Sequence, residues 1–412
     1  MKQMDIYVSW WSDKTGSVQT ACMHSVFLST ATSDVIAKCL CDFCADNGLD
    51  LGKIVTVGMD GPNVNKKVFT LLNDAAKEPN SCLLDVGTCN LHIVHNAFAR
   101  GVGKLDIDVP DMLYQIHFFF KYSAVRRAEY QMAEEVTDMA TQFVAKHVPS
   151  RWLSLASASR RLPRLWANDR QYFLVMLPKG ADFASIARTD RYNSIKAFLE
   201  DQSSMVYISF IDFFARPAEA FVQLFQKREP LLHLLAEKLR QLFLQYARYI
   251  VKQEQVDALL RRPSEIHSTN SDNLKTNSHD VGAETETFWA KLDLTTRKLV
   301  RMNMGTAVLA LFLNPASLAT TSDVSSFTRF VMALHQALPA IVPMQRVDAA
   351  KDEWRLLVSK LDGEVTEAGS VDKFWSGILS KLSDDANPLY ANLAAVLKSA
   401  LTIPHGHCEV ER

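Results

Sequence analysis

The chain is 412 residues long, 48% hydrophobic and 22% charged, with a net charge of −1. That length accommodates one large domain or two to three smaller ones. The near-neutral balance excludes a polybasic nucleic-acid binder and an acidic tail protein, so any basic surface is local.

The opening residues, "MKQMDIYVSWWSDK", lack the apolar stretch of a cleavable signal. The longest apolar runs, 205–215 and 306–313, are well short of the ~20 residues that cross a bilayer. Seven cysteines (Cys22, Cys39, Cys41, Cys44, Cys82, Cys89 and Cys408) stand at irregular spacing, and the odd count reads as reduced thiols and not as a disulfide framework. The expectation is an intracellular protein, nuclear or cytoplasmic, with no membrane partner.

Residues 4–11 and 21–28 alternate β-branched and aromatic side chains around the turn cluster "SDKTGS", which predicts an antiparallel hairpin. A helix follows over 31–47, with Ser33 or Asp34 as N-cap and Gly48 as its stop. Short apolar runs at 53–59 and 82–87 read as strands, each followed by a helix, over 63–78 and 89–102. The order β-β-α-β-α-β-α describes an α/β unit. From about Asp111 the pattern turns to long helical stretches: 112–147, 154–177, 191–215 and 218–262. A polar, Ser/Thr/Asn-rich linker over 263–287 interrupts them, helices resume at 288–338, and a last helical stretch covers 390–412. An α/β core that leaves for a long helical excursion and returns fits an inserted domain, and two separate domains fit equally well.

Asp60 stands where the apolar run "VTVGM" ends and the chain turns through Gly61 and Pro62. Ligands bind at the carboxyl ends of strands in open α/β sheets, and a carboxylate there can hold Mg²⁺. A turn acid or a helix cap is the plain alternative. Cys89, His92 and His95 recur every three residues on one predicted helix, and Cys41-x-x-Cys44 lies on another. Zinc would need four ligands, and core thiols or hydrogen-bonding imidazoles explain these residues as well. The pair Arg151–Trp152 begins a helix within a basic stretch of Lys121, Arg126, Arg127, Arg160, Arg161, Arg164 and Arg170. Phosphate and base contacts are one reading of it, a solvated helical face the other. No Gly-rich phosphate loop, nucleophile elbow or His-Glu-x-x-His motif occurs.

In order, "GMDGPNVN", "LLDVGTCNLHIVHNAF", "SRWLSL" and the terminal "HGHCEVER" resemble the landmarks of hAT-type DNA transposases. The resemblance is closest to the domesticated, zinc-finger-BED-like proteins derived from them. It implies a ribonuclease H-like core interrupted by a helical insertion: an α/β core plus a large all-α insertion, mostly helical overall. On that pattern residues 1–110 form the ribonuclease H-like part, 111–370 the insertion with its polar linker, and 371–412 the helical return to the core.

The family cuts DNA with an Asp-Asp-Glu triad holding two Mg²⁺ or Mn²⁺ ions. By resemblance Asp60 is its second Asp and Glu411 its Glu, the metal ligands if the chain is active. Cys89 and His92 match the family's Cys-x-x-His structural motif, and Arg151 with Trp152 its Arg-Trp DNA contact. The triad's first Asp, the BED finger and the dimerisation segment have no match here, so the ribonuclease H-like fold is incomplete and truncated at both ends. In such a fold the hairpin either pairs directly with 53–59 or is poorly ordered. The expectation is an inactive transposase-derived protein that needs no cofactor, with DNA or a second copy of the chain as partner. Alternatives are a metal-dependent nuclease using Asp5 or Asp85 as substitute acid, and a partial gene product without a dedicated function.

Overall fold

The computed structural model describes residues 2–76, 81–137, 143, 153–250, 310–315, 318, 321–360 and 370–405. The described chain is mostly helical with one small sheet. It divides into two compact units. The first comprises Met1–Ile93, Val222–Gln241 and Arg301–Arg412, the second Val94–Phe221 and Leu242–Val300. In sequence the second is therefore entered from the first and left again twice, at 94–221 and at 242–300. The polar stretch 263–287 lies outside the described residues.

The first unit opens with the hairpin, longer than its alternation predicts: β1 (Lys2–Ser12) and β2 (Ser17–Leu28) pair antiparallel from Lys2–Leu28 to Ser12–Ser17. Its turn ends on Gly16 at φ +56°, a conformation that favours glycine, and a Cβ there would collide with Ser376 Oγ. The register slips between Ile6 and Tyr7, where β2 carries one extra residue. Helix α1 (Ser33–Asp46) follows, capped by Thr32, one residue before the expected cap, and ended by Gly48 at φ +64°. Ile6 of β1 packs with Phe43 and Cys44 of α1, and Ile54 joins this cluster from the side.

The runs at 53–59 and 82–87 are not strands. After a single 3₁₀ turn at Leu51–Lys53 the first continues as irregular chain, and so does the second. They lie side by side: Leu84 N donates to Val55 O (2.8 Å), Thr56 Oγ1 to Leu84 O (2.7 Å) and Cys89 N to Met59 O (3.2 Å). Cys82 N is turned elsewhere, to Ala337 O (2.7 Å). Apolar patterning marks a half-buried extended segment, but a strand also needs a neighbour that satisfies its backbone along its length. Among the described residues the sheet contains β1 and β2 alone, so the hairpin does not pair with 53–59 either.

Helices α2 (Asn63–Ala76) and α3 (Asn90–Val102) follow these segments as their apolar spacing predicts, α3 passing into the second unit from Val94, and Val68 and Leu72 of α2 meet Ala37 of α1 and Leu83. The unit is completed by α11 (Thr321–Ala337), α12 (Met344–Lys360), α13 (Val371–Leu379) and α14 (Ala391–Leu401). Their core is aromatic. Trp354 stacks on Phe327 at 4.3 Å and on Trp375 at 5.9 Å, and the Trp375 indole donates to Leu313 O (3.0 Å). Such ring pairs contribute about 0.5–1.5 kcal/mol each beyond their buried area. Helix α13 is tied to the hairpin: Val18 N donates to the Asp372 carboxylate (3.3 Å) and Lys373 Nζ to Thr15 O (2.7 Å). Lys398 of α14 reaches Asp13 at 2.5 Å.

The second unit contains α4 (Val109–Lys121), α5 (Ala124–Thr137), α6 (Leu153–Arg170), the short α7 (Phe183–Ile186), α8 (Asp190–Glu200), most of α9 (Ser204–Phe225) and the end of α10 (Leu232–Ile250). Among the described residues the predicted helix 218–262 is interrupted between Phe225 and Leu232, and 112–147 and 191–215 are broken where a polar side chain captures the backbone. Ser123 Oγ accepts from Arg126 N (3.2 Å) between α4 and α5, and Asp201 Oδ1 accepts from Ser203 N (2.8 Å) between α8 and α9. Phe119, Phe120, Tyr130, Tyr172 and Phe173 form the buried aromatic centre, with Tyr172 and Phe173 presented by a π-helical turn that extends α6.

Candidate functional site

Asp60 ends the irregular segment 54–60, and the turn Gly61–Pro62 leads straight into α2. Its half-buried carboxylate accepts a hydrogen bond from the Asn65 side-chain amide, one turn into the helix. An anion at this place is favoured by the helix dipole by about 0.3–1 kcal/mol. The bond from Cys89 N to Met59 O joins this turn to the start of α3, so the residue beside Asp60 and the first residue of Cys89-x-x-His92 are in direct contact. Cys89 is buried and its carbonyl accepts from Ile93 N (3.2 Å), while His92 is half-buried one turn along. Two motifs 29 positions apart in the sequence are thereby brought to one place.

One carboxylate there can hold a divalent cation together with waters and phosphate oxygens. Among the described residues no three His, Cys, Asp or Glu side chains come together as metal ligands. The proposed substitutes are engaged locally. Asp5 accepts from Ser25 Oγ (2.5 Å) and Gln3 Nε2 (3.0 Å), and these bonds, the serine's first, hold it below the usual carboxylate range. Asp85 is exposed and accepts from Gly87 N (2.8 Å) in its own turn. Cys41 and Cys44 are ordinary helix thiols that burial pushes up, away from the thiolate a metal needs. Glu411, Arg151 and Trp152 lie outside the described residues.

The basic stretch is not one face. Arg160 bridges Asp212 (2.9 Å) and Glu219 (2.6 Å) of α9, Arg126 covers the Phe119 ring at 4.2 Å, and Arg161 and Arg170 donate to the carbonyls of Phe143 and Leu199. Lys121, Arg127 and Arg164 stay exposed. Linear reading missed the side chains beside Lys121: Tyr114, Phe118 and Tyr122 form a ring row along α4. Their spacing of four was visible, but the intervening core residues Phe119 and Phe120 obscured it.

No protein-family profile matches the chain, and no curated protein matches it. Among the described residues no helix is long and apolar enough to cross a membrane.

Proposed function

We propose that the chain is a transposase-derived protein of hAT type, that its first unit derives from a ribonuclease H-like fold, and that it acts by contacting DNA without cutting it. The observation that carries this reading is the Met59–Cys89 backbone bond, which sets the Asp60 turn against the Cys89-x-x-His92 helix. The element order supports it too: hairpin, helix, then two extended segments each leading into a helix. So does the way the second unit interrupts the first in sequence. Of the family's three carboxylates this sequence offers matches for two, Asp60 and Glu411, and a two-metal site needs ligands that clamp both the attacking and the leaving oxygen.

The test is labelled duplex DNA with the full chain in Mg²⁺ and in Mn²⁺. Retention of the duplex without cleavage, weakening steeply as salt displaces the phosphate contacts, is the expected result. Cleavage that disappears in Asp60→Ala and in Glu411→Ala establishes a metal-dependent nuclease instead, and salt-insensitive or undetectable retention removes the duplex-DNA role.

A further inference from the structure

Helix α4 has two aromatic faces. Phe119 and Phe120 point into the core of the second unit, whereas Tyr114, Phe118 and Tyr122, four residues apart, rise along a second face. Their ring centroids are 4.2 Å apart between Tyr114 and Phe118 and 6.2 Å between Phe118 and Tyr122. Tyr114 is 39% exposed and Tyr122 78%, far more than a packed tyrosine. Lys121 holds its ammonium 4.8 Å from the Phe118 ring and 4.7 Å from the Tyr122 ring, a cation–π arrangement at the surface.

At the Phe118–Tyr122 end of this ridge the charge is positive, while Asp111 stands one turn before Tyr114 and accepts from Gln115. From Met112 to Ala128 there is no Asp or Glu, and Lys121, Arg126 and Arg127 are the charged residues. Lys121 and Arg127 are exposed. An occupant of the Phe118–Tyr122 end should therefore offer flat apolar faces beside negative charge. Unpaired nucleotides do so, because every base has a face to stack and every linkage a phosphate. A duplex has the phosphates but buries the faces against neighbouring bases. Tyr114 to Tyr122 spans about 12 Å of helix, room for about three bases at the ~3.4 Å rise of a strand.

We infer that the α4 ridge of Tyr114, Phe118 and Tyr122 is a stacking platform for unpaired nucleotides, with Lys121 turning from the rings to a phosphate when a strand is bound. This rests on the nucleic-acid reading above and narrows it from DNA in general to single-stranded segments.

Fluorescence anisotropy of the full chain with a labelled oligothymidine and a labelled duplex of equal length tests it. Tyr122→Ala should weaken oligothymidine binding roughly 5- to 150-fold, the range for loss of one stacked base. Tyr122→Phe, which keeps the ring, should stay within about twofold of the parent. Lys121→Ala should lower the slope of log affinity against log salt by about 0.7, one phosphate contact on a single strand. Duplex binding should be unchanged in Tyr122→Ala, whose exposed position leaves folding intact. If duplex binding is present but oligothymidine affinity is unaltered in Tyr122→Ala and in the double variant Tyr114→Ala/Tyr122→Ala, the platform is overturned and the DNA reading stands. An equal loss for both probes also overturns it. Binding of neither probe at low salt overturns the platform and the DNA reading together, and self-association abolished by Tyr122→Ala would then make the ridge a protein interface.

Discussion

The Met59 carbonyl accepts a hydrogen bond from the backbone nitrogen of Cys89 over 3.2 Å, and through it the Asp60 turn rests on the first residue of the Cys-x-x-His helix. The Asp60 carboxylate serves this arrangement by receiving the Asn65 amide at the start of α2. Asp60→Ala loses that bond and a favourable helix-dipole contact, and is expected to lower stability by about 0.5–1.5 kcal/mol in a urea titration. Hydrogen exchange at the Cys89 amide should accelerate in the same variant. An unchanged midpoint with unchanged exchange would show that Asp60 has no structural part.

In the second unit Tyr130 donates its hydroxyl hydrogen to Asp169 Oδ1 over 2.8 Å, with both side chains out of water. Tyr130→Phe removes the donor and leaves the acid buried, so a loss of about 1–3 kcal/mol is expected. Thermal or urea unfolding of the variant measures it.

Glu353 of α12 caps α14 from outside. Its carboxylate accepts from Leu393 N (2.7 Å), Asn392 N (3.3 Å) and Asn392 Nδ2 (2.8 Å). Negative charge at a helix N-terminus is favourable, and these amides have no partner within their own helix. Glu353→Ala should cost about 1–2 kcal/mol, and Glu353→Gln should recover part of it, because the amide oxygen still accepts. Equal losses in the two variants would contradict a capping role.

His233, buried in the first turn of α10, is pulled down to about 4, by burial first and by the neighbouring His405 second. An unfolded imidazole titrates near 6.5. Between these values the unfolded chain binds more protons than the folded one, so stability is complete above about pH 6.5 and declines as the pH falls towards about 4. The full window is worth up to about 3 kcal/mol at ~1.4 kcal/mol per pKa unit. His233→Gln should flatten the stability profile in that window, and a profile with the parent's slope would place the titrating group elsewhere.

The cysteines divide by access. Cys22 is exposed on β2, whereas Cys44 and Cys89 are buried, and burial pushes the Cys44 thiol up. Alkylation read by mass spectrometry should modify Cys22 in the native protein, with Cys44 and Cys89 following only under denaturing conditions. Native labelling of Cys89 at the rate of Cys22 would argue against the packing at the start of α3.

Much of the local structure was legible in the sequence, because its causes are local. The hairpin is set by alternation across a turn that ends on Gly16, α1 by its apolar spacing and by Gly48, and α2 and α3 by their own periodicity. The helix breaks at Ser123 and Asp201 are local too, but the apolar period continues across them, and only the captured amides reveal the stop. At the candidate site, Asp60 and Cys89 were each visible as residues, while their adjacency was not, since it depends on one bond between segments far apart in the chain.

What the sequence by itself determined is therefore the inventory: where helices form, where the hairpin turns, and which acids, thiols and cations are present. The tertiary structure decided what each does. Residues 53–59 and 82–87 have strand composition, yet no described neighbour completes a ladder along them, so they remain extended chain. Arg160 and Lys121 belong to the same basic stretch, yet two carboxylates of α9 engage the first while the second lies over the rings of Phe118 and Tyr122. Backbone pairing and charge neutralisation are properties of partners, and partners are chosen only when distant segments pack together.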